Sequence, residues 1–261
     1  MGKISSNAET LNEVISFGEY KARYRSSKTF LLGFMGGLYI AIAATGNIFV
    51  NCLVGGGLGH FLGALIFPVG ISLVALVGGS LFTGDALKAL ALIERKIKVR
   101  RFVYNIFSVW LGNFVGALFV ISLCLGANLF YEEALIDYIL ETASFKLNIG
   151  ILEAICSGFL CNLLVAGAIW LSLSTKDLVG KILAIFPPIM LFVLCGFQHI
   201  VANMYYINLG VALDTSIFDL SNYASHFLFV TIGNFLSGAI FLPAMYHLIY
   251  RKGSSKNLPL S

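Results

Sequence analysis

The chain consists of long apolar segments separated by short polar ones. Residues 29–84 contain no charged side chain, and four further apolar segments follow at Phe102–Phe130, Asn148–Ser174, Ile182–Leu213 and Ser221–Tyr250. One helix across a bilayer needs about 20 apolar residues, so the first segment holds two spans. The break between them falls at the glycines from Gly55 to Gly59. The pattern predicts six membrane-spanning helices.

Lysine and arginine fall almost entirely on one side of these spans. Residues 1–28, 88–101, 175–181 and 251–261 together carry 16 of the 17, and the alternate loops carry only Lys146. Positive residues mark the cytoplasmic side of a membrane protein. We therefore expect a cytoplasmic N-terminal segment at residues 1–28 and a cytoplasmic tail at residues 251–261, in a bacterial-type inner or plasma membrane. Apolar and acidic residues alternate within residues 1–28, which indicates an amphipathic helix lying on the membrane surface.

The two halves of the apolar region resemble each other. Three pairs of short segments match in the same order, with offsets of 119 to 121 positions: Gly36-Gly37 with Ser157-Gly158, Ile66–Pro68 with Ile185–Pro187, and Gly112–Ala117 with Gly233–Gly238. Because each half has three spans, the second half enters from the opposite face. The sequence therefore predicts an all-α membrane protein with two inverted three-helix repeats. Its one channel domain would cover residues 29–250, with the repeats at 29–125 and 147–250.

Spans two and five contain glycine and polar residues at membrane depth. Gly78–Gly84 follows Pro68, and Gly196–Asn203 follows Pro187-Pro188. Irregular backbone is tolerated in a bilayer only where it is buried in protein or lines a cavity. Paired interruptions in two halves indicate a transport path. A glycine-packed crossing of unbroken helices is the alternative.

A few polar side chains within the spans are candidates for chemistry. His199 leads them, because intramembrane ionisable groups tend to be functional and imidazole can donate to an anion; a satisfied core histidine is the alternative. Lys146 either anchors its segment at the interface or attracts anions to a pore mouth. Thr83 can face backbone or ligand. Five residues are expected to support loops and helices: Asn113, Asn162, Gln198, Asn203 and Asn234. The other histidines, His60, His226 and His247, are interpreted as interfacial.

Composition narrows the function classes. Only 11% of residues are charged, 58% are hydrophobic, and the mean hydropathy is +0.89. These values exclude soluble globular proteins and nucleic-acid binding. Membrane enzymes need paired acids, metal ligands or haem-binding histidines, and the sequence shows no such pattern. We therefore expect no enzymatic activity, no metal and no cofactor.

Three segments resemble signatures of the formate/nitrite transporter family. They are Ala75–Gly84, Gly158–Val165 and Gly196–Met204, and the resemblance covers roughly residues 10–250. The chain departs from the family pattern at Ala166, where cysteine is usual, and at Gly167, where an aliphatic residue is usual. It departs again at Gln198, where the formate and nitrite branches usually have glutamate. These departures resemble the hydrosulfide branch.

The family resemblance implies an aquaporin-like protomer that assembles into a homopentamer with one pore per protomer. By resemblance, Thr83, Lys146 and His199 serve the anion path. Two apolar constrictions carry over to six positions: Phe67, Ile71, Leu81, Phe82, Val165 and Phe192.

The predicted function is a channel for small monovalent anions of weak acids, chiefly hydrosulfide, with formate and nitrite also permeating. A bare anion loses much hydration energy in an apolar ring, and protonation near His199 removes most of that cost. With Gln198 in place of an acid, His199 lacks a neighbour that would favour its charged form, which suits an anion that protonates easily. The alternatives are a formate or nitrite transporter, including a proton-coupled one, and an aquaporin-like pore for neutral solutes. The expected partners are the anions and the bilayer.

Overall fold

The computed structural model describes residues 4–252, and all regular secondary structure in that range is helical. Residues 1–3 of the predicted N-terminal segment and residues 253–261 of the predicted tail lie outside the described residues.

Helices α1 to α13 follow one another along the chain. Their bounds are α1 Asn7–Ala22, α2 Ser26–Val54, α3 Gly56–Ile66, α4 Pro68–Leu73, α5 Phe82–Asp85, α6 Ala89–Ile93, α7 Val99–Gly126, α8 Glu133–Leu147, α9 Ile151–Leu173, α10 Leu178–Leu194, α11 Ile200–Leu213, α12 Leu220–Phe235 and α13 Leu242–Lys252. Val74–Gly78 and Leu236–Phe241 form π-helical turns that extend α4 and join α12 to α13.

Within the described residues, five helical segments are long and apolar enough to cross a bilayer. They are Ser26–Val54, Gly56–Gly78, Val99–Gly126, Ile151–Leu173 and Leu220–Arg251. The predicted break between the first two is present, because Gly55 adopts a φ of 70° and ends α2. The remaining apolar stretch is divided into the shorter helices α10 and α11.

The apolar face of helix α1 packs against protein, whereas the expectation of a helix lying on the membrane surface assigns that face to lipid. Its residues Leu11, Val14 and Ile15 are buried in a cluster with Leu90 and Trp170. The alternation of apolar and polar residues correctly indicates an amphipathic helix. It cannot distinguish a lipid surface from a protein surface as the partner of the apolar face.

The loop expected before the fourth span is largely the helix α8. Lys146 lies in its last turn, and α9 begins only at Ile151. The lysine therefore projects from the end of a separate helix, one short loop before the fourth span.

Glycines allow a close helix crossing between α2 and α7. A Cβ at Gly37 would overlap the carbonyl oxygen of Asn113, and one at Gly116 would overlap that of Phe34. The crossing of α9 and α12 is built in the same way, since a Cβ at Gly233 would overlap the carbonyl of Ile155. Small residues let helix backbones approach closely in membrane proteins, so these glycines bring their neighbours within reach of the chain breaks described below.

We expect Gly37→Ala to lower the midpoint temperature of thermal unfolding, because the added methyl must push α2 and α7 apart. Overpacking of this kind costs about 1–3 kcal/mol. The matched control is Gly167→Ala in α9, where an added Cβ meets no atom within 4 Å. Equal midpoints for the two purified variants would contradict the close crossing.

Candidate functional site

The first chain break lies between the π-helical turn and α5, and the amide of Asn113 holds it. The Phe82 backbone N–H donates to Asn113 Oδ1 at 2.9 Å. Asn113 Nδ2 donates to the carbonyls of Gly33 and Ser80 at 2.7 and 2.8 Å. One buried side chain on α7 thus satisfies three backbone groups from two other segments.

The second break lies between α10 and α11, and Asn234 holds it with the same pattern. The Ile200 N–H donates to Asn234 Oδ1 at 2.9 Å, and Asn234 Nδ2 donates to the carbonyls of Gly158 and Gln198 at 2.7 and 2.9 Å. Asn162 links the two breaks, because its Nδ2 donates to the carbonyls of Thr83 and Asn234 at 3.3 and 2.6 Å. This geometry fits the supporting role predicted for all three asparagines.

The two breaks meet at a hydrogen bond between Thr83 and His199. Thr83 Oγ1 lies 2.9 Å from His199 Nε2, and both residues are buried. The other ring nitrogen, Nδ1, accepts the N–H of Ala202 at 3.2 Å and so caps α11. Since Nδ1 is an acceptor, a neutral ring carries its hydrogen on Nε2. The imidazole therefore presents a donor towards Thr83.

A cavity of about 350 Å³ opens on one side of this pair, and we call it the α8-side cavity. Phe67, Lys146, Phe192 and His199 line it. Lys146 Nζ donates to Gln198 Oε1 at 3.1 Å. Among residues 4–252 the lysine has no ion-pair partner. Glu141 also lines the cavity, but it forms no ion pair with the lysine.

A second cavity of about 270 Å³, the α1-side cavity, is lined by Lys21, Leu81 and Asp85. Lys21 Nζ donates to the carbonyl of Gly79 at 3.2 Å and to Ser80 Oγ at 2.9 Å, and lies 3.1 Å from Asp85 Oδ1. Sequence reasoning missed this lysine. The feature that could have identified it is its place in the helix: Lys21 is the last residue but one of α1, as Lys146 is of α8.

The six predicted constriction residues lie in different surroundings. The Phe67 and Phe192 rings lie edge to face 5.7 Å apart beside His199. Ile71 and Val165 are fully buried, and Leu81 borders the α1-side cavity. Phe82 differs, because its ring lies 6.5 Å from that of Phe235 and lines a lateral apolar groove with Phe102 and Trp110. Its part in a constriction stays a prediction.

His226 is buried, which corrects its interpretation as an interfacial histidine. Its Nδ1 lies 2.5 Å from the carbonyl oxygen of Lys146, and its Nε2 lies 2.9 Å from Asn203 Nδ2. Asn203 Nδ2 also donates to Gln198 Oε1 at 2.9 Å. The four residues form a closed ring that holds both the backbone and the ammonium group of Lys146. No spacing in the sequence predicts it.

The side chain of Gln198 turns towards Lys146. From the sequence alone, the lack of an acid at this position is expected to affect only the charge of His199. In the structure, the Gln198 amide oxygen instead contacts the ammonium group of Lys146 at 3.1 Å. A carboxylate at position 198 would pair with that lysine. The neutral amide leaves its charge available to the cavity.

Similarity to known proteins supports a transport role. The family model described as "Formate/nitrite transporter" matches residues 8–248. The chain is 37% identical over 250 residues to the "Formate channel BtFdhC" of Bacillus thuringiensis, covering 93% of this chain and 94% of the relative. It is 35% identical over 253 residues to the "Uncharacterized transporter YrhG" of Bacillus subtilis, covering 94% and 93%.

Solved structures agree in fold. An "FNT family ion channel" superposes with a TM-score of 0.85 at 26% identity, covering 92% of this chain and 98% of the other. A "Pentameric formate channel with formate bound" superposes with a TM-score of 0.77 at 27% identity, covering 87% and 98%.

We expect Asn234→Leu to destabilise the protein strongly, because it leaves the Ile200 N–H and the Gly158 and Gln198 carbonyls without their partner in an apolar setting. Each unpaired buried group costs about 1–3 kcal/mol. The control, Asn222→Leu, removes from the same helix a half-buried amide, whose side-chain hydrogen bond to Asn148 Oδ1 at 3.1 Å is exposed. Thermal unfolding of both variants checks the prediction, and a midpoint for Asn234→Leu equal to that of the control would refute it.

Proposed function

Because this chain belongs to the formate/nitrite transporter family, we propose that it conducts small monovalent anions of weak acids, with hydrosulfide as its main substrate and formate and nitrite as further substrates. The observation that carries the proposal is the hydrogen-bonded pair of Thr83 and His199 between two cavities. Apolar side chains surround that pair, and a lysine lies in each cavity.

The path begins at Lys146, which attracts an anion into the α8-side cavity. The rings of Phe67 and Phe192 then exclude water, so an anion that stayed charged would lose its hydration without full compensation. A weak-acid anion can take up a proton from the aqueous cavity and cross as a neutral molecule. The Nε2 hydrogen of His199 and the hydroxyl of Thr83 offer it hydrogen bonds in the dry segment.

The preference for hydrosulfide rests on the ease with which this anion protonates and on the neutral Gln198. Hydrogen sulfide is a weaker acid than formic or nitrous acid, so hydrosulfide takes up a proton at a higher pH. Gln198 contacts Lys146 without neutralising it, which keeps the cavity attractive to an anion before protonation. Formate is the rival main substrate, because a relative at 37% identity is a formate channel.

We also propose six membrane crossings, two inverted repeats and a pentameric assembly. The pair α10 and α11 would form a sixth membrane crossing beside the five long segments, and residues 29–125 and 147–250 would be inverted repeats. The matching hydrogen bonds of Asn113 and Asn234 support the repeat. Both termini would then be cytoplasmic in a bacterial inner membrane. The similarity to a pentameric channel supports a homopentamer.

Paired flux measurements in proteoliposomes test the substrate class. We expect nitrite flux well above nitrate flux, and hydrosulfide flux well above chloride flux, because the members of each pair are both small anions and differ chiefly in the acidity of the conjugate acid. Within the weak-acid set, hydrosulfide should exceed formate and nitrite. Protein-free vesicles supply the background, since neutral hydrogen sulfide crosses lipid unaided.

Three results of these flux measurements would contradict different parts of the proposal. Equal flux for weak-acid and strong-acid anions would exclude crossing as the protonated form. Formate exceeding hydrosulfide would overturn the main substrate and leave the class intact. Flux of glycerol without flux of any anion would favour a pore for neutral solutes.

The variant Gln198→Glu tests the role of Lys146, which forms no ion pair within the described residues. We expect lower anion entry, because the new carboxylate pairs with Lys146 and reduces the positive field in the cavity. The apparent half-saturation concentration should rise severalfold at low ionic strength and less at high ionic strength, since salt screens the field. Gln198→Met controls for the loss of the amide. An unchanged half-saturation concentration in Gln198→Glu would contradict the assignment.

A further inference from the structure

A stripe along one face of α7 combines three kinds of side chain that no feature of the proposed path uses. Lys98, Arg100 and Arg101 lie at its start, Tyr104 follows, and an apolar stretch continues to Leu111. From Arg101, the residues Tyr104, Ser108 and Leu111 come three, seven and ten positions later. That spacing keeps them on one face of a helix.

The charged end of the stripe has no counter-charge. Lys98, Arg100 and Arg101 are exposed, and within residues 4–252 none of them forms an ion pair. The acid nearest in sequence, Glu94, is bonded to His247 and Arg251 at 2.8 and 3.0 Å. The three positive side chains surround a hollow of about 490 Å³ that reaches Tyr104.

The hollow continues into an apolar groove between α2 and α7. Tyr104 lines both, and Phe30, Phe107 and Leu111 line the groove, whose volume is about 330 Å³. The Phe107 side chain is 62% exposed and that of Tyr104 is 55% exposed. An exposed tyrosine between a charged and an apolar region is typical of the membrane interface.

The length of the stripe matches one leaflet of a bilayer. Arg101 and Leu111 are ten residues apart, which is about 15 Å along a helix. The hydrocarbon core of a bilayer is about 30 Å thick, so one leaflet supplies about 15 Å. A molecule filling the stripe therefore needs an anionic head at Lys98–Arg101 and an apolar tail that descends through one leaflet.

From this combination we propose that the start of α7 binds an anionic phospholipid. The phosphate contacts Lys98, Arg100 and Arg101, Tyr104 lies at the level of the glycerol backbone, and an acyl chain lies in the groove against Phe30 and Phe107. The site is independent of the anion path. Basic clusters beside membrane helices bind anionic lipid head groups through the same attraction.

The test uses the delipidated full-length protein in mild detergent and native mass spectrometry. Phosphatidylglycerol and phosphatidylcholine with identical acyl chains are titrated separately. We expect tighter binding of phosphatidylglycerol, and we expect the double variant Arg100→Gln/Arg101→Gln to weaken it about 30-fold, because each basic residue near the head group contributes about a fivefold factor. Phe107→Ser should also weaken it.

The matched control is Arg95→Gln/Lys96→Gln, which removes the same charge from exposed positions outside the groove. An equal loss in this control would overturn the site, since general electrostatic attraction would explain both. Displacement of the lipid by millimolar inorganic phosphate, or unaltered binding in Phe107→Ser, would overturn the acyl groove. Loss of the oligomer in the Arg100→Gln/Arg101→Gln variant, with lipid binding unchanged, would identify the stripe as a contact between protomers and overturn the proposal.

Discussion

The structure depends on how two chain breaks inside an apolar bundle satisfy their backbone polar groups. A backbone N–H or carbonyl without a partner costs several kcal/mol in a bilayer, where water is absent. The side chains of Asn113 and Asn234 each form hydrogen bonds with three such backbone groups. An amide is suited to this work, because it offers one acceptor and two donors on a short side chain. The glycine-lined crossings are needed as well, since they bring α2 against α7 and α9 against α12 closely enough for both amides to reach neighbouring carbonyls.

The polar centre follows from the second break. A new helix begins at Ile200, and its first turn has N–H groups with no partner inside the helix. His199 satisfies one of them through Nδ1, which fixes the ring orientation and leaves Nε2 to face Thr83 across the first break. The histidine is thus a capping residue and a hydrogen-bond donor at once. Any substitution there alters the start of α11 as well as the polar centre, so its effect on flux cannot be interpreted without a measure of folding.

Some of this arrangement could be predicted from the sequence. Asn113 and Asn234 lie in matching Gly-Asn-Phe segments, and Lys146 is a lone positive residue among the acidic loops. The partner of the α1 apolar face could not be predicted, because lipid and protein surfaces demand the same amphipathic pattern. The contacts of Gln198 and His226 could not be predicted either. Both depend on where the end of α8 lies relative to α11 and α12, which is set by packing between segments far apart in sequence.

Each cavity is lined by a lysine, and the two lysines have different partners. In the α8-side cavity Lys146 contacts a neutral amide, and it forms no ion pair with Glu141, which also lines that cavity. In the α1-side cavity Lys21 and Lys88 share Asp85, with Nζ atoms 3.1 and 2.7 Å from its two oxygens, so that cluster carries one net positive charge. Between the two cavities lie the Thr83 hydroxyl, the His199 imidazole and apolar side chains. In the proposed mechanism these regions have different roles. The lysines attract anions rather than cations at both mouths. The uncharged middle then selects among anions by how readily each takes up a proton. A dry segment separates two anions of similar size when their conjugate acids differ in strength, because only the weaker acid is readily formed before crossing. Selection by size alone could not separate them.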